Sequence, residues 1–132
     1  MRPSILLAAA ALIGAVAPAA PAAQRPSDPG PRLDRLLAGR VAGDPITCLP
    51  LRRAARSQVV PGEAVVYSAN NRELFVNRPS GGAEWLIRDA ILVSQQQIGQ
   101  LCRGDPVQIV DRASGIGRGF ITLGDFVPYT RR

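Results

Sequence analysis

From Pro45 to the C-terminus, prolines, glycines and asparagines cut the chain into short β-prone runs, and this punctuation limits the fold more than any other feature. "ITCLPL" (46–51) reads as an edge or bulged strand, because Pro50 has no backbone N–H to donate. "SQVVPGE" (57–63) ends in a Pro-Gly turn. "EAVVYSANNRELFVN" (63–77) is the clearest hairpin. Val65 and Val66 lie on one arm and Leu74, Phe75 and Val76 on the other, with Asn70 and Asn71 between them as residues that tolerate positive φ. "RPSGGAEWLIRD" (78–89) opens as a loop and holds one helical turn near Glu84 to Arg88. "AILVSQ" (90–95) is a continuous apolar run that fits a buried strand. Gln95 to Gln97 with Gly99 read as a loop. "DPVQIVDR" and "GRGFITLGDFVPY" add two strands joined by the turn "ASGIG". About six short strands at regular spacing predict a mainly β fold, a small antiparallel barrel or sandwich.

Ahead of this region, Leu33, Leu36, Leu37 and Val41 recur near helical spacing, with Gly43 and Pro45 as a stop. They predict a short N-terminal amphipathic helix of about three turns. Residues 23–31 carry Pro26, Pro29 and Pro31 and read as a flexible linker. The expected single β-rich domain covers residues 32–130.

The first residues, "MRPSILLAAAALIGAVAPAAPAAQ", have the order of an export signal. Arg2 supplies the positive n-region. Ile5 to Val16 is an apolar run, shorter than the ~20 residues that span a bilayer. Ala20 and Ala22 stand at the −3 and −1 positions of a small-residue cleavage site, so residues 1–22 are expected to be removed. Ala17 and Ala19 form a second such site. No cysteine follows the apolar run, as a lipoprotein signal would require, and no twin arginine precedes it. The expected location is periplasmic or secreted.

An oxidising compartment gives the two cysteines, Cys48 and Cys102, a structural reading as a disulfide. They form no C-x-x-C motif. The chain has no histidine, so neither cysteine has the usual base for nucleophilic work, and two thiolates make a poor zinc site. No metal, cofactor or catalytic residue is expected.

All 16 basic residues are arginines, against 10 acidic ones, and the formal net charge is +6, which removal of Arg2 lowers by one. A positive surface attracts anionic polymers. The densest interior cluster, Arg52, Arg53 and Arg56 in "LRRAAR", is the candidate anion-binding patch. The competing reading is a solvated edge whose charges discourage strand pairing. "RGD" (103–105) matches an integrin-binding string, but Gly-Asp-Pro is also a turn signal. "GIGRG" (115–119) resembles part of a dinucleotide loop, yet the following "FITL" reads as a strand where that fingerprint needs a helix. Glu84 with Asp89, and Asp105 with Asp111, are the carboxylate pairs from which a small hydrolase would draw its acid and base. Trp85, the only tryptophan, reads as a core or cap residue before a ligand platform.

Leu101, Cys102, Gly104 and Asp105, followed by Leu123 to Phe126 and Pro128, form an "LC-x-G-D" stretch and a closing "LG-[DE]-F-x-P" segment. In these the chain resembles a group of small secreted proteins of Gram-negative bacteria, a domain type of unknown function. The resemblance implies export and a single β-rich domain, and no activity or site residues. The reading that follows is a non-enzymatic periplasmic or secreted binding or interaction module braced by one disulfide, with an envelope protein or an anionic envelope polymer as partner. The alternatives are a small hydrolase using an Asp/Glu pair and a binder of anionic polymers.

Overall fold

The computed structural model describes Gly14 and residues 30–95 and 98–132. The expected signal peptide and linker lie outside these residues, apart from Gly14 and apart from Gly30 and Pro31, which open the helix. Helix α1 spans Gly30–Leu37. Pro31 suits a first helical turn, where its missing N–H has no partner to lose. The helix stops after two turns rather than three because Gly39, at φ 72°, turns the chain into the left-handed region. Val41 therefore leaves the helical stripe and lies in a strand.

Ten strands follow: β1 (Arg40–Ala42), β2 (Cys48–Pro50), β3 (Arg56–Val60), β4 (Ala64–Ser68), β5 (Glu73–Asn77), β6 (Ile91–Ser94), β7 (Gln100–Cys102), β8 (Pro106–Val110), β9 (Gly117–Thr122) and β10 (Phe126–Arg131). They form three antiparallel sheets, ordered β1-β10-β5-β4-β3, β2-β7 and β6-β8-β9. The mainly β antiparallel class with one short N-terminal helix is what the punctuation implied. The larger strand number has a local cause. β1 and β7, which the sequence does not indicate, are three residues long, too short to show alternation. The run "GRGFITLGDFVPY" breaks at Leu123 to Asp125 into β9 and β10. Gln100 to Cys102, to which the sequence pattern assigns no element, pairs with β2.

Isolated bridges tie two loop residues, Ile46 and Gly81, to strands β10 and β9. Ile46 and Phe126 exchange backbone hydrogen bonds of 2.8 and 2.9 Å, and Gly81 pairs with Thr122. All three sheets send side chains into one core. Leu49, Val65, Phe75, Leu101, Ile109, Ile121 and Phe126 are buried there together. The Tyr67 and Phe126 rings meet at 5.9 Å and an interplanar angle of 56°, a tilted aromatic contact. A second cluster lies on the opposite face of the five-stranded sheet. There α1 lays Leu33, Leu36 and Leu37 over Val60, Ala64, Val66 and Val76.

β6 departs from expectation. It is an edge strand, and Ile91 and Val93 are exposed rather than buried. An apolar run carries no sign of whether both of its faces are covered. The β4–β5 turn also differs. Neither asparagine has a positive φ. Asn70 contributes its side chain instead, with Oδ1 accepting the N–H groups of Arg72 and Glu73, as Asx turns do. No described helix is long and apolar enough to cross a membrane.

Candidate functional site

Alternation along antiparallel strands decides which arginines meet. In the five-stranded sheet the register pairs Arg56 with Ser68, Gln58 with Val66, and Leu74 with Tyr129. It also pairs Arg40 directly with Arg131. These residues share the face that carries α1. The helix covers only the apolar part of that face. The uncovered part is a cleft of ≈ 510 Å³ lined by Arg35 of α1, Arg40 of β1, Arg56 of β3 and Arg131 of β10. Leu36, Val66 and Leu74 give the cleft apolar lining, and Ser57, Gln58, Ser68 and Asn71 add neutral polar groups. Among the described residues no carboxylate lines it.

The charges of this cleft are set against one another. Arg40 donates from Nη1 to the Arg72 carbonyl at 3.0 Å and from Nη2 to the Asn71 carbonyl at 2.8 Å. The guanidinium is thereby pinned to the β4–β5 turn. Its pKa is lowered, first by desolvation and then by the charge of Arg131 opposite. Like charges directly opposed across strands destabilise a sheet, and an anion placed between them offsets that repulsion.

The sheet separates the trio that the sequence singled out. Arg52 and Arg53 lie in a 3-10 turn, Leu51–Arg53, and Arg56 opens β3. Arg53 points to the core side. Its Nη2 lies 2.7 Å from Glu73 Oε2, and its guanidinium carbon stands 4.6 Å over the Phe75 ring. Only Arg56 of the three lines the cleft. Proximity in sequence suggested a patch; strand alternation instead recruits Arg40 and Arg131, 91 positions apart, through their register.

Two of the four carboxylates named in the sequence, Asp105 and Asp111, have local work. Asp105 Oδ2 accepts the Cys102 N–H at 2.8 Å. Asp111 Oδ1 accepts the N–H groups of Ala113 and Ser114, and these bonds lower its pKa. The "RGD" stretch is a turn: Asp105 N–H donates to the Cys102 carbonyl, Gly104 has φ 90°, and Arg103 reaches Asp125 at 3.3 Å. "GIGRG" closes the β8–β9 hairpin loop at Gly115 and Ile116 and opens strand β9 from Gly117, with no helix after it. Trp85 caps the sheet. A Cβ on Gly119 would lie 2.6 Å from its indole, so the ring packs on bare backbone. Among the described residues no group of His, Cys, Asp and Glu is arranged to hold a metal ion.

Cys48 and Cys102 are bonded, and they are register partners across β2 and β7. Their neighbours Leu49 and Leu101 are paired in the same ladder and buried in the main core. The bond thus braces the shortest sheet where it meets the core. Comparison of the chain with family models, with curated proteins and with solved structures gives no match.

Proposed function

We propose that the chain is a non-enzymatic, extracytoplasmic binding module that takes an anionic group in the arginine cleft between α1 and the five-stranded sheet. The observation that carries this reading is the opposed pair Arg40 and Arg131 in the wall of a cleft that holds four arginines and, among the described residues, no carboxylate. Among the described residues that lining sets no carboxylate beside Arg40, Arg56 and Arg131, and the arginine fork matches phosphate and sulfate oxygens two at a time. The volume is in the range of small-ligand sites. The disulfide supports the location, since such bonds persist in oxidising compartments. The Cys48–Cys102 bond has a bracing role in this reading and no chemical one.

A titration with inorganic pyrophosphate, followed through backbone amide shifts, tests the proposal. The shifts are expected at Arg56, Leu74 and Arg131. The double variant Arg56→Gln/Arg131→Gln is expected to bind about tenfold more weakly or worse, as loss of charge-assisted hydrogen bonds implies. Arg52→Gln serves as the comparison and should bind as the native chain does. Equal affinity of the native chain and the double variant, or shifts confined to other arginines, would remove the cleft as the site.

A further inference from the structure

We propose that the ligand is a linear polyanion, a chain bearing phosphate or sulfate groups at short intervals, which runs from this cleft across the edge of β3 into a second arginine cleft. The inference rests on the anion-binding reading above and goes further in naming the class of ligand and its path. The second cleft, of ≈ 150 Å³, is lined by Arg32 of α1 and by Arg88 and Arg112. It shares Ser57 and Gln58 with the first, so the two clefts have a common wall in β3. β3 is the end strand of its sheet, and among the described residues no further strand stands beyond it. Arg32 and Arg35 are three positions apart on α1, about one helical turn. The same helix therefore presents one guanidinium to each cleft.

The second cleft is held in shape by its own contacts. Arg112 Nε donates to the Asp89 carbonyl at 3.1 Å. Asp89 has φ 58° and is the one non-glycine residue with positive φ among those described, a conformation that aspartate tolerates better than most residues. Asp89 is also the single carboxylate in the lining of either cleft. Seven arginines face one carboxylate along a connected path. A compact anion reaches the arginines of one cleft only, whereas charges repeated along a chain reach those of both. Among the described residues no aromatic side chain lines either cleft. Single-stranded nucleic acid, which gains much of its affinity by stacking bases on aromatic rings, is therefore disfavoured against a chain recognised by its oxyanions alone.

The test compares orthophosphate, tripolyphosphate and long-chain polyphosphate at fixed ionic strength, with heparin oligosaccharides of matched charge as a parallel series, on the chain from residue 23 onward. Affinity per bound chain should rise on the order of a hundredfold once the polymer is long enough to occupy both clefts, as linked sites require. In Arg88→Gln/Arg112→Gln this step should vanish while orthophosphate and pyrophosphate bind as before. Arg88→Gln alone, which leaves the Arg112 contact to Asp89 in place, should lose part of the step. A step in both series supports recognition of the shared oxyanion chemistry. A step in one series alone supports the inference and assigns the chain to that source. A smooth rise with length, a step that survives in the double variant, or tighter binding of single-stranded DNA than of polyphosphate of equal charge would overturn it. Each of those results leaves pyrophosphate binding in the first cleft standing. Loss of pyrophosphate binding itself would overturn both readings together.

Discussion

Asn77 is the only polar residue among the described ones that is buried outright, with 0% exposure. Its Nδ2 donates to the Gly124 carbonyl at 2.8 Å, and its Oδ1 accepts the Gly124 N–H at 3.0 Å. One side-chain amide thus satisfies both backbone groups of a buried glycine in the β9–β10 connection. The position requires glycine, since a Cβ on Gly124 would lie 2.2 Å from the Arg78 carbonyl oxygen. Asn77→Leu keeps the branched shape and orphans both groups. The expected loss is about 2–6 kcal/mol, from two buried groups at about 1–3 kcal/mol each, read from urea unfolding midpoints. Asn77→Asp keeps the acceptor but sets a carboxylate against the Gly124 carbonyl. Burial disfavours the charged form and raises the folded pKa of the new acid. Its folded state then binds more protons than its unfolded state, so its stability should fall as pH rises above the ordinary carboxylate range and recover in acid. A leucine variant with native stability would show that the amide contributes nothing.

At the scale of elements, the disulfide acts on the weakest pairing. β2 and β7 have three residues each, and Pro50 removes a donor from β2. Their only sheet partners are each other, yet Leu49 and Leu101 between them reach the main core. For a sequence separation of 54, chain entropy implies about 4 kcal/mol from the closed loop. Cys48→Ser/Cys102→Ser should lower stability by that amount or less, and amide exchange should accelerate first at Leu49 and Leu101 while the β4–β5 ladder stays protected. An unchanged unfolding midpoint would contradict this account. The exchange pattern would separate a local brace from a general one. Much of this level is legible in the sequence. The β4–β5 hairpin, the turn nature of "RGD" and the pairing of the two cysteines follow from turn chemistry and from elimination. Three things are not legible. Strands as short as β1 carry no period. The exposed side of β6 looks like any apolar run. The cleft depends on the Arg40–Arg131 register, which no local stretch records; from sequence alone, Arg52, Arg53 and Arg56 looked like a patch because they are neighbours along the chain. Alternation within β3, applied to Arg56 with the α1 stripe as the covered face, is the one signal that would have pointed toward the right side of the sheet.

At the scale of the whole molecule, charge and compartment belong to the same argument. The chain carries arginine and no lysine, with a formal net charge of +6. Seven of its arginines line two connected clefts, so the excess is placed and not merely spread. The proposed site would meet its polyanions where the chain is folded, and the chain's weakest sheet is braced by a bond that reducing compartments do not keep. On the proposed reading, folding, bracing and binding all call for export, and residues 1–22, expected from their sequence to be an export signal, would supply the route. The protein recovered from the envelope or medium should begin at Ala23, as determined by N-terminal sequencing, and its unreduced mass should be two hydrogens below that of the dithiol. Placing charge in the apolar run, by Leu6→Arg/Leu7→Arg, should hold the chain inside the cell with Arg2 still attached and both thiols open to alkylation without reductant. An exported product that retains Arg2 would refute cleavage after Ala22. A retained variant whose cysteines are already bonded would break the link between compartment and bracing, because the bond would then form without export.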